Sequence, residues 1–342
     1  MKKNRERITL EDLAKCTGVS VSSVSRVINN QSVSSEIRDK VEAAISELRY
    51  KKPNSFLSHA IGSQKFIAIF VLDILNPFYP ALIKGIEDIA SVQGYNIILC
   101  DTRNDDESQH KRMEALINYY SVKGIIYIPL AEENPFIDRL LQEEFPIVFV
   151  DNIINRENTC YVTSANIKGA YQAVKYLISL GHRRIVYLAG DQKFSTERER
   201  FEGYKMALNE ANIAVEEELI IPGDYNLKKA YHGINEIIKK KIPFTAIFAA
   251  NDIMAFGAKQ ALDKQNLKVP EDVSLIGFDD LEISSTILLT TFAQPAYEMG
   301  KNAALLLIDL IHGRLKPPKH IVLQPTIVIR DSCKKLEKDR GG

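Results

Sequence analysis

The chain has 342 residues, 45% hydrophobic and 26% charged, with 44 basic residues against 44 acidic ones and a formal net charge of zero. That length fits two to three domains, and the composition excludes an intrinsically disordered chain. No apolar run approaches the ~18 residues of a membrane-spanning helix, and the charged start MKKNRERITL lacks the apolar stretch of a secretory signal. Cys16, Cys100, Cys160 and Cys333 are far apart with no CxxC, which gives neither a disulfide framework nor a metal signature. Reduced thiols in a cytoplasm are expected, three of them buried as small hydrophobes.

The zero net charge hides an asymmetry. Residues 1–60 carry 11 basic and 7 acidic residues, so a basic arm precedes an acidic body, as in a DNA-binding headpiece. Within that arm, TLEDLAKCTGVSVSSVSRVINN (9–30) reads as two short helices joined at Gly18. Leu10, Leu13 and Ala14 recur at helical spacing, Gly18 supplies the positive φ that ends a helix, and Ser20 stands where an N-cap belongs. Val24, Val27 and Ile28 face the first helix. The opposite face keeps Val21, Ser22, Ser25, Arg26 and Asn29, short hydrogen-bonding groups and one guanidinium suited to a major groove. A third helix is expected from about Ser34 to Tyr50, capped by Ser34 or Ser35, with Val41, Ala44, Ile45 and Leu48 as its apolar stripe. Residues 54–65 read as a linker.

From Phe66 the chain alternates strands and helices. FIAIFVL (66–72), YNIILC (95–100), GIIYIPL (124–130) and PIVFVD (146–151) are β-branched runs separated by amphipathic stretches near 77–93, 105–120 and 135–144. The pattern restarts after about residue 165, with strands at 184–190, 219–224, 246–250 and 272–279 and helices near 166–180, 195–211, 226–240 and 251–266. Apolar strands joined by helices imply parallel sheets covered on both faces, here in two doubly wound lobes. Ligands bind such sheets beyond the carboxyl ends of the strands, so the cleft between the lobes is the natural ligand site. Those ends carry Asp73, Asp101, Asp151, Asn251 and Asp279.

The same residues carry a resemblance. ITLEDLAKCTGVSVSSVSRVINN and VSSEIRDKVEAAISELRYKKPN are similar to the headpiece of the LacI/GalR transcriptional regulators. DILNPFYPALIKGIEDIASVQGYNIIL, LGHRRIVYLAG, RERFEGYKMAL, FAANDIMAFGAKQAL, VPEDVSLIGFDDLE and TTFAQPAYEMGKNAALLLIDLI match the body in the same order. The resemblance runs from about residue 8 to 331. It implies an all-α helix-turn-helix headpiece (1–52), a hinge (53–65) and a two-lobed α/β domain like periplasmic sugar-binding proteins (66–332). The N-lobe would take about 66–164 plus 295–323, the C-lobe about 165–292 plus 324–332, with three crossover strands and a tail at 333–342. VLQPTIVIRDS would complete both lobes.

The resemblance also assigns roles. Val21 and Ser22, with Arg26 further along, would read bases. Arg26 can grip guanine O6 and N7 with two parallel bonds, worth roughly 1–3 kcal/mol of discrimination. Thr9, Ser20, Ser25 and Asn29 suit phosphate contacts, although Thr9 and Asn29 serve equally as ordinary caps. In the family a hinge leucine wedges into the minor groove; the corresponding residue here is Ala60. Either Leu57 or Ile61 takes that part, or the DNA bends less.

For the effector, Phe78 and Tyr79 would stack on a ring or pack between the lobes, and Arg200 would bond vicinal hydroxyls or a carboxylate. Asn251 and Asp279 match polar contacts, or in the case of Asn251 a helix cap, and Gln294 lies at the crossover. Asp101, Tyr127 and Asp151 lie at other strand ends. Asp280 is expected to cap the following helix, and His182 to be structural. The implied function is a repressor of carbohydrate utilisation, a cytoplasmic homodimer that reads a near-palindromic operator under control of a small ligand, most simply a sugar. The tail holds one leucine, not a tetramer-forming heptad helix. A carbon-catabolite type of regulator, with a phosphorylated carrier protein as corepressor, is the alternative. A glycosidase using Asp101, Asp151 and Asp279 is the rival from another class. No nucleophile motif, Walker loop or GxGxxG is present, so an enzyme is not expected, nor any cofactor, metal or membrane partner.

Overall fold

The computed structural model describes residues 9–28, 32–48, 50, 64–102, 106–120, 122–129, 134–153 and 156–336. They form two compact units that divide after Gln64.

The first unit holds α1 (Leu10–Thr17), α2 (Val21–Ile28) and α3 (Ser35–Glu47). Thr9 begins α1 with a reciprocal capping box: its hydroxyl accepts from the Asp12 peptide N–H, and the Asp12 carboxylate accepts from the Thr9 N–H at 2.8 Å. Gly18 ends the helix at φ 69°, which a side chain would resist. Ser20 then accepts from the Ser23 N–H at 3.2 Å. Leu13, Val24, Val27, Val41, Ala44 and Tyr50 form the buried core. Ser34 stands before α3 without a side-chain cap bond; its expected capping role is not taken up.

The second unit contains two six-stranded sheets. The N-lobe sheet runs β11-β5-β4-β3-β1-β2, formed by β1 (Lys65–Val71), β2 (Tyr95–Asp101), β3 (Ile125–Tyr127), β4 (Ile147–Val150), β5 (Cys160–Ser164) and β11 (Lys319–Leu323). All its pairings are parallel. The C-lobe sheet runs β12-β10-β9-β8-β6-β7, formed by β6 (Ile185–Ala189), β7 (Ile220–Pro222), β8 (Ala246–Ala249), β9 (Ser274–Asp279), β10 (Thr290–Ala293) and β12 (Thr326–Val328). Only β12 pairs antiparallel there. The polar strand CYVTS, and the edge strands β11 and β12, carry too little apolar periodicity to be read as strands from pattern alone.

Helices cover the sheets: α4 (Phe78–Val92), α5 (Asp106–Tyr119), α6 (Pro135–Gln142) and α12 (Ala296–Ile311) on the N-lobe, and α7 (Asn166–Ser179), α8 (Ser195–Glu210), α9 (Leu227–Lys239), α10 (Asp252–Lys264) and α11 (Glu282–Thr286) on the C-lobe. The β1 side chains alternate between two cores. Ile67, Ile69 and Val71 meet α4 and α12, while Ala68 and Phe70 meet α5 and α6. The tail read at 333–342 is described as far as Leu336. Residues 333–336 bind the C-lobe, with the Leu336 N–H donating to the Leu180 carbonyl at 2.8 Å and the Lys334 carbonyl contacting His182 Nε2 at 3.1 Å. His182 is the buried structural residue expected, its Nδ1 3.0 Å from the Thr245 hydroxyl. Cys100 and Cys160 are buried, Cys333 only partly and Cys16 is exposed.

Candidate ligand cleft and nucleic-acid interface

A cavity of about 560 Å³ opens between the two lobes, within the range of small-molecule sites. It lies where the strand ends converge. Asp151 directly follows β4 at φ 64° and Asp279 ends β9 at φ 118°. Non-glycine residues held there cost about 1–3 kcal/mol each, a strain that collects at binding sites. Both side chains are buried and line the cleft.

Arg200 comes from α8, which turns one face inward through Thr196, Glu197, Arg200, Gly203 and Tyr204. It is 3% exposed. Its Nε donates to Asn166 Oδ1 at 3.0 Å and its Nη1 to the Ala250 carbonyl at 2.6 Å. Asp279 Oδ1 lies 3.9 Å from that nitrogen, and the Phe278 ring lies under the guanidinium at 4.2 Å. Gln294 Nε2 donates to Asp279 Oδ1 at 2.7 Å. Burial pushes Asp279 up to about 8 and Asp151 up to about 6, with Arg200 acting against burial in both.

Phe78 and Tyr79 open α4, edge to face at 5.5 Å, and both line the cleft while packing into the N-lobe core. Asn251 lines the cleft too, yet its Oδ1 caps α10 by accepting from the Met254 N–H at 3.0 Å. Asp280 leaves α11 uncapped and pairs with Arg330 at 2.7 Å.

Two expected ligand contacts lie elsewhere. Asp101 ends β2, the edge strand of the N-lobe sheet, and is absent from the cleft lining. The reason is topological: β2 borders only β1 and stands at the outer edge of the sheet. Tyr127 is fully buried, because its position on β3 points it into the helix layer. There it packs against Phe70 and Phe149, and its hydroxyl accepts from Asn134 Nδ2 at 3.3 Å.

Other residues escaped the sequence reading. Glu197, three residues before Arg200, is one. It is fully buried, and its carboxylate accepts from the Tyr187 hydroxyl at 2.6 Å and the Tyr225 hydroxyl at 3.2 Å. Burial pushes it up to about 7 against the Tyr187 hydrogen bond. Tyr225 lines the cleft and lies against Gly190, where any Cβ would strike its ring and the Glu197 carboxylate. Asn152, just beyond Asp151, accepts from the Thr196 N–H at 3.3 Å and hydroxyl at 2.9 Å, while Ser195 Oγ accepts from the Ile153 N–H at 2.9 Å. These bonds tie the N-lobe to the start of α8. The i, i+3 spacing of Glu197 and Arg200 was the available signal, since it puts both on one helix face.

In the first unit, Val21, Ser22 and Arg26 project from α2 as exposed side chains, and Ser25 is half-buried. The Ser20 hydroxyl lies 2.8 Å from Ser22 Oγ and 2.9 Å from Ser23 Oγ. Thr9 has its hydroxyl turned to Asp12, in the capping role. Asn29 and the hinge positions Leu57, Ala60 and Ile61 lie outside the described residues.

A two-helix DNA-reading element followed by a two-lobed ligand domain defines a ligand-controlled DNA-binding regulator. Residues 9–54 match the bacterial regulatory proteins of the lacI family, and residues 174–333 match a periplasmic binding protein-like domain. The HTH-type transcriptional regulator DegA of Bacillus subtilis (strain 168) is 34% identical over 337 residues, covering 96% of this chain and 99% of that protein. A transcriptional regulator CelR–cellobiose complex matches with TM-score 0.73 and 30% identity over 95% of this chain and 100% of that one. The lac repressor dimer bound to operator and the anti-inducer ONPF matches with TM-score 0.73 and 28% identity over 96% and 100%. The chain belongs to the lacI family: it is a DNA-binding transcriptional regulator, not an enzyme.

Proposed function

We propose that this regulator is a repressor whose hold on its operator is set by a sugar bound between the lobes. The observation that carries this is Arg200, buried in the cleft with its fork oriented by Asn166 and Ala250 and flanked by Asp279. Planar polar groups beside the Phe78 and Tyr79 rings are what hydroxyl-rich rings require. The cellobiose held by the related CelR supports the same reading. Arg26, Val21 and Ser22 read base edges, and Ser20 and Ser25 contact phosphate. Like the related lac repressor, this chain works as a dimer, so the operator is near-palindromic. It acts in the cytoplasm, where the DNA is. Ligand and operator are coupled reciprocally: whatever the ligand does to DNA affinity, DNA does to ligand affinity.

Operator binding by fluorescence anisotropy, titrated with a sugar panel, tests this. One sugar shifts the wild-type curve and leaves that of Arg200→Ala unmoved. A curve that no sugar shifts overturns the reading.

A further inference from the structure

The polar inventory of the cleft is lopsided. Among the described residues three cations line it: Lys193 pairs with Asp191 at 3.0 Å, Lys229 with Asp224 at 2.5 Å, and Arg200 spends Nε and Nη1 on Asn166 and Ala250. Asp151 and Asp279 are the buried carboxylates of the lining, and one arginine stands among them. Gln294 adds a second kind of acceptor. Its Nε2 is spent on Asp279, and its Oε1 is buried with no partner. A buried acceptor of this kind calls for a donor.

We infer that the cleft takes a neutral, hydroxyl-rich ligand and rejects its phosphorylated or carboxylated counterparts. The inference rests on the sugar reading above and narrows it. A hydroxyl donates as well as accepts, so vicinal hydroxyls can serve Asp151, Asp279 and Gln294 Oε1 while facing the Arg200 fork. A phosphate or carboxylate brings only acceptors to a surface already rich in them. It would meet one guanidinium, two of whose five N–H donors are already in use, and it would set negative charge beside the Asp151 carboxylate, which stays ionised at neutral pH although burial raises it to about 6. Like-charge juxtaposition of this kind is how a site discriminates against a near-isostere.

Calorimetry on the full chain at neutral pH tests this with glucose, ribose and cellobiose beside glucose 6-phosphate, ribose 5-phosphate, glucuronate and glucosamine. The expected result is that the preferred neutral sugar binds at least about a hundredfold tighter than its charged counterparts, since each buried polar group left unsatisfied costs about 1–3 kcal/mol. In Asp151→Asn, the same ratio for the phosphate narrows by about tenfold. A phosphate or acid that binds as tightly as the neutral sugar overturns the inference and leaves the sugar reading intact. Glucosamine binding more than about tenfold tighter than glucose overturns it in favour of a cationic ligand. Silence from every sugar and every phosphate overturns the sugar reading, and this inference with it.

Discussion

The guanidinium carbon of Arg200 stands 4.2 Å from the centre of the Phe278 ring. The side chain is thus fixed on three sides: by that ring, by Asn166 Oδ1 and by the Ala250 carbonyl. A planar, always-charged fork suits this setting, and the compact ammonium of lysine does not. Arg200→Lys is expected to keep the fold but weaken effector binding by about 1.5–3 kcal/mol, the worth of a charge-assisted hydrogen bond. Isothermal calorimetry checks this, and wild-type affinity in the lysine variant would remove Arg200 from the site.

The bonds from Asn152 to Thr196 join the lobes at the edge of the cleft. Asn152→Ala removes both without touching either sheet. Its expected effect is on ligand affinity, a loss of about 1–2 kcal/mol, with the far-ultraviolet spectrum unchanged. Equal affinities in the two proteins would mean that these bonds do not contribute to the bound arrangement.

The buried carboxyls give stability a definite dependence on pH. Glu197 moves from 4.5 up to about 7 because burial disfavours its charge. A raised acid binds its proton more tightly when folded, so stability falls as pH rises from about 4.5 through 7. At about 1.4 kcal/mol per pKa unit, this group alone accounts for on the order of 3 kcal/mol across that range. Asp151 and Asp279 act in the same direction over windows reaching about 6 and about 8. His182 opposes them on the acid side: burial holds it below 6.5, so stability is lost as pH falls beneath that value. Thermal melts between pH 5 and 8 should show a smaller drop in Tm for Glu197→Gln than for wild type. Parallel curves would contradict the assignment.

Arg26 and Thr9 separate two kinds of headpiece variant. Arg26 is exposed on α2, and Arg26→Ala is expected to remove roughly 1–3 kcal/mol of sequence discrimination while leaving the fold alone. Thr9 caps α1, and Thr9→Ala is expected to destabilise the headpiece by about 1 kcal/mol without changing base preference. A binding-selection experiment and a thermal melt on each variant distinguish these outcomes. An unchanged site preference in Arg26→Ala would exclude it as a base reader.

Much of this architecture is legible in the sequence because it rests on local rules. Helical spacing around Leu13 and Val24, the positive φ of Gly18, and the alternation of β-branched runs with amphipathic stretches each depend on residues a few positions apart. The order of motifs then identifies Arg200, Asp279, Phe78 and Tyr79 as cleft residues. What the sequence could not decide is which way a strand-end side chain points and which distant group meets it. Asp101 and Tyr127 stand at strand ends as Asp151 does, but sheet order puts one at an outer edge and pleat direction turns the other into a core. Glu197 is buried with its charge met by the Tyr187 and Tyr225 hydroxyls, which separate elements bring to it. Local propensity fixes where elements begin and end; side-chain burial and charge balance are set by contacts between residues far apart in the chain, and those exist only in the folded protein.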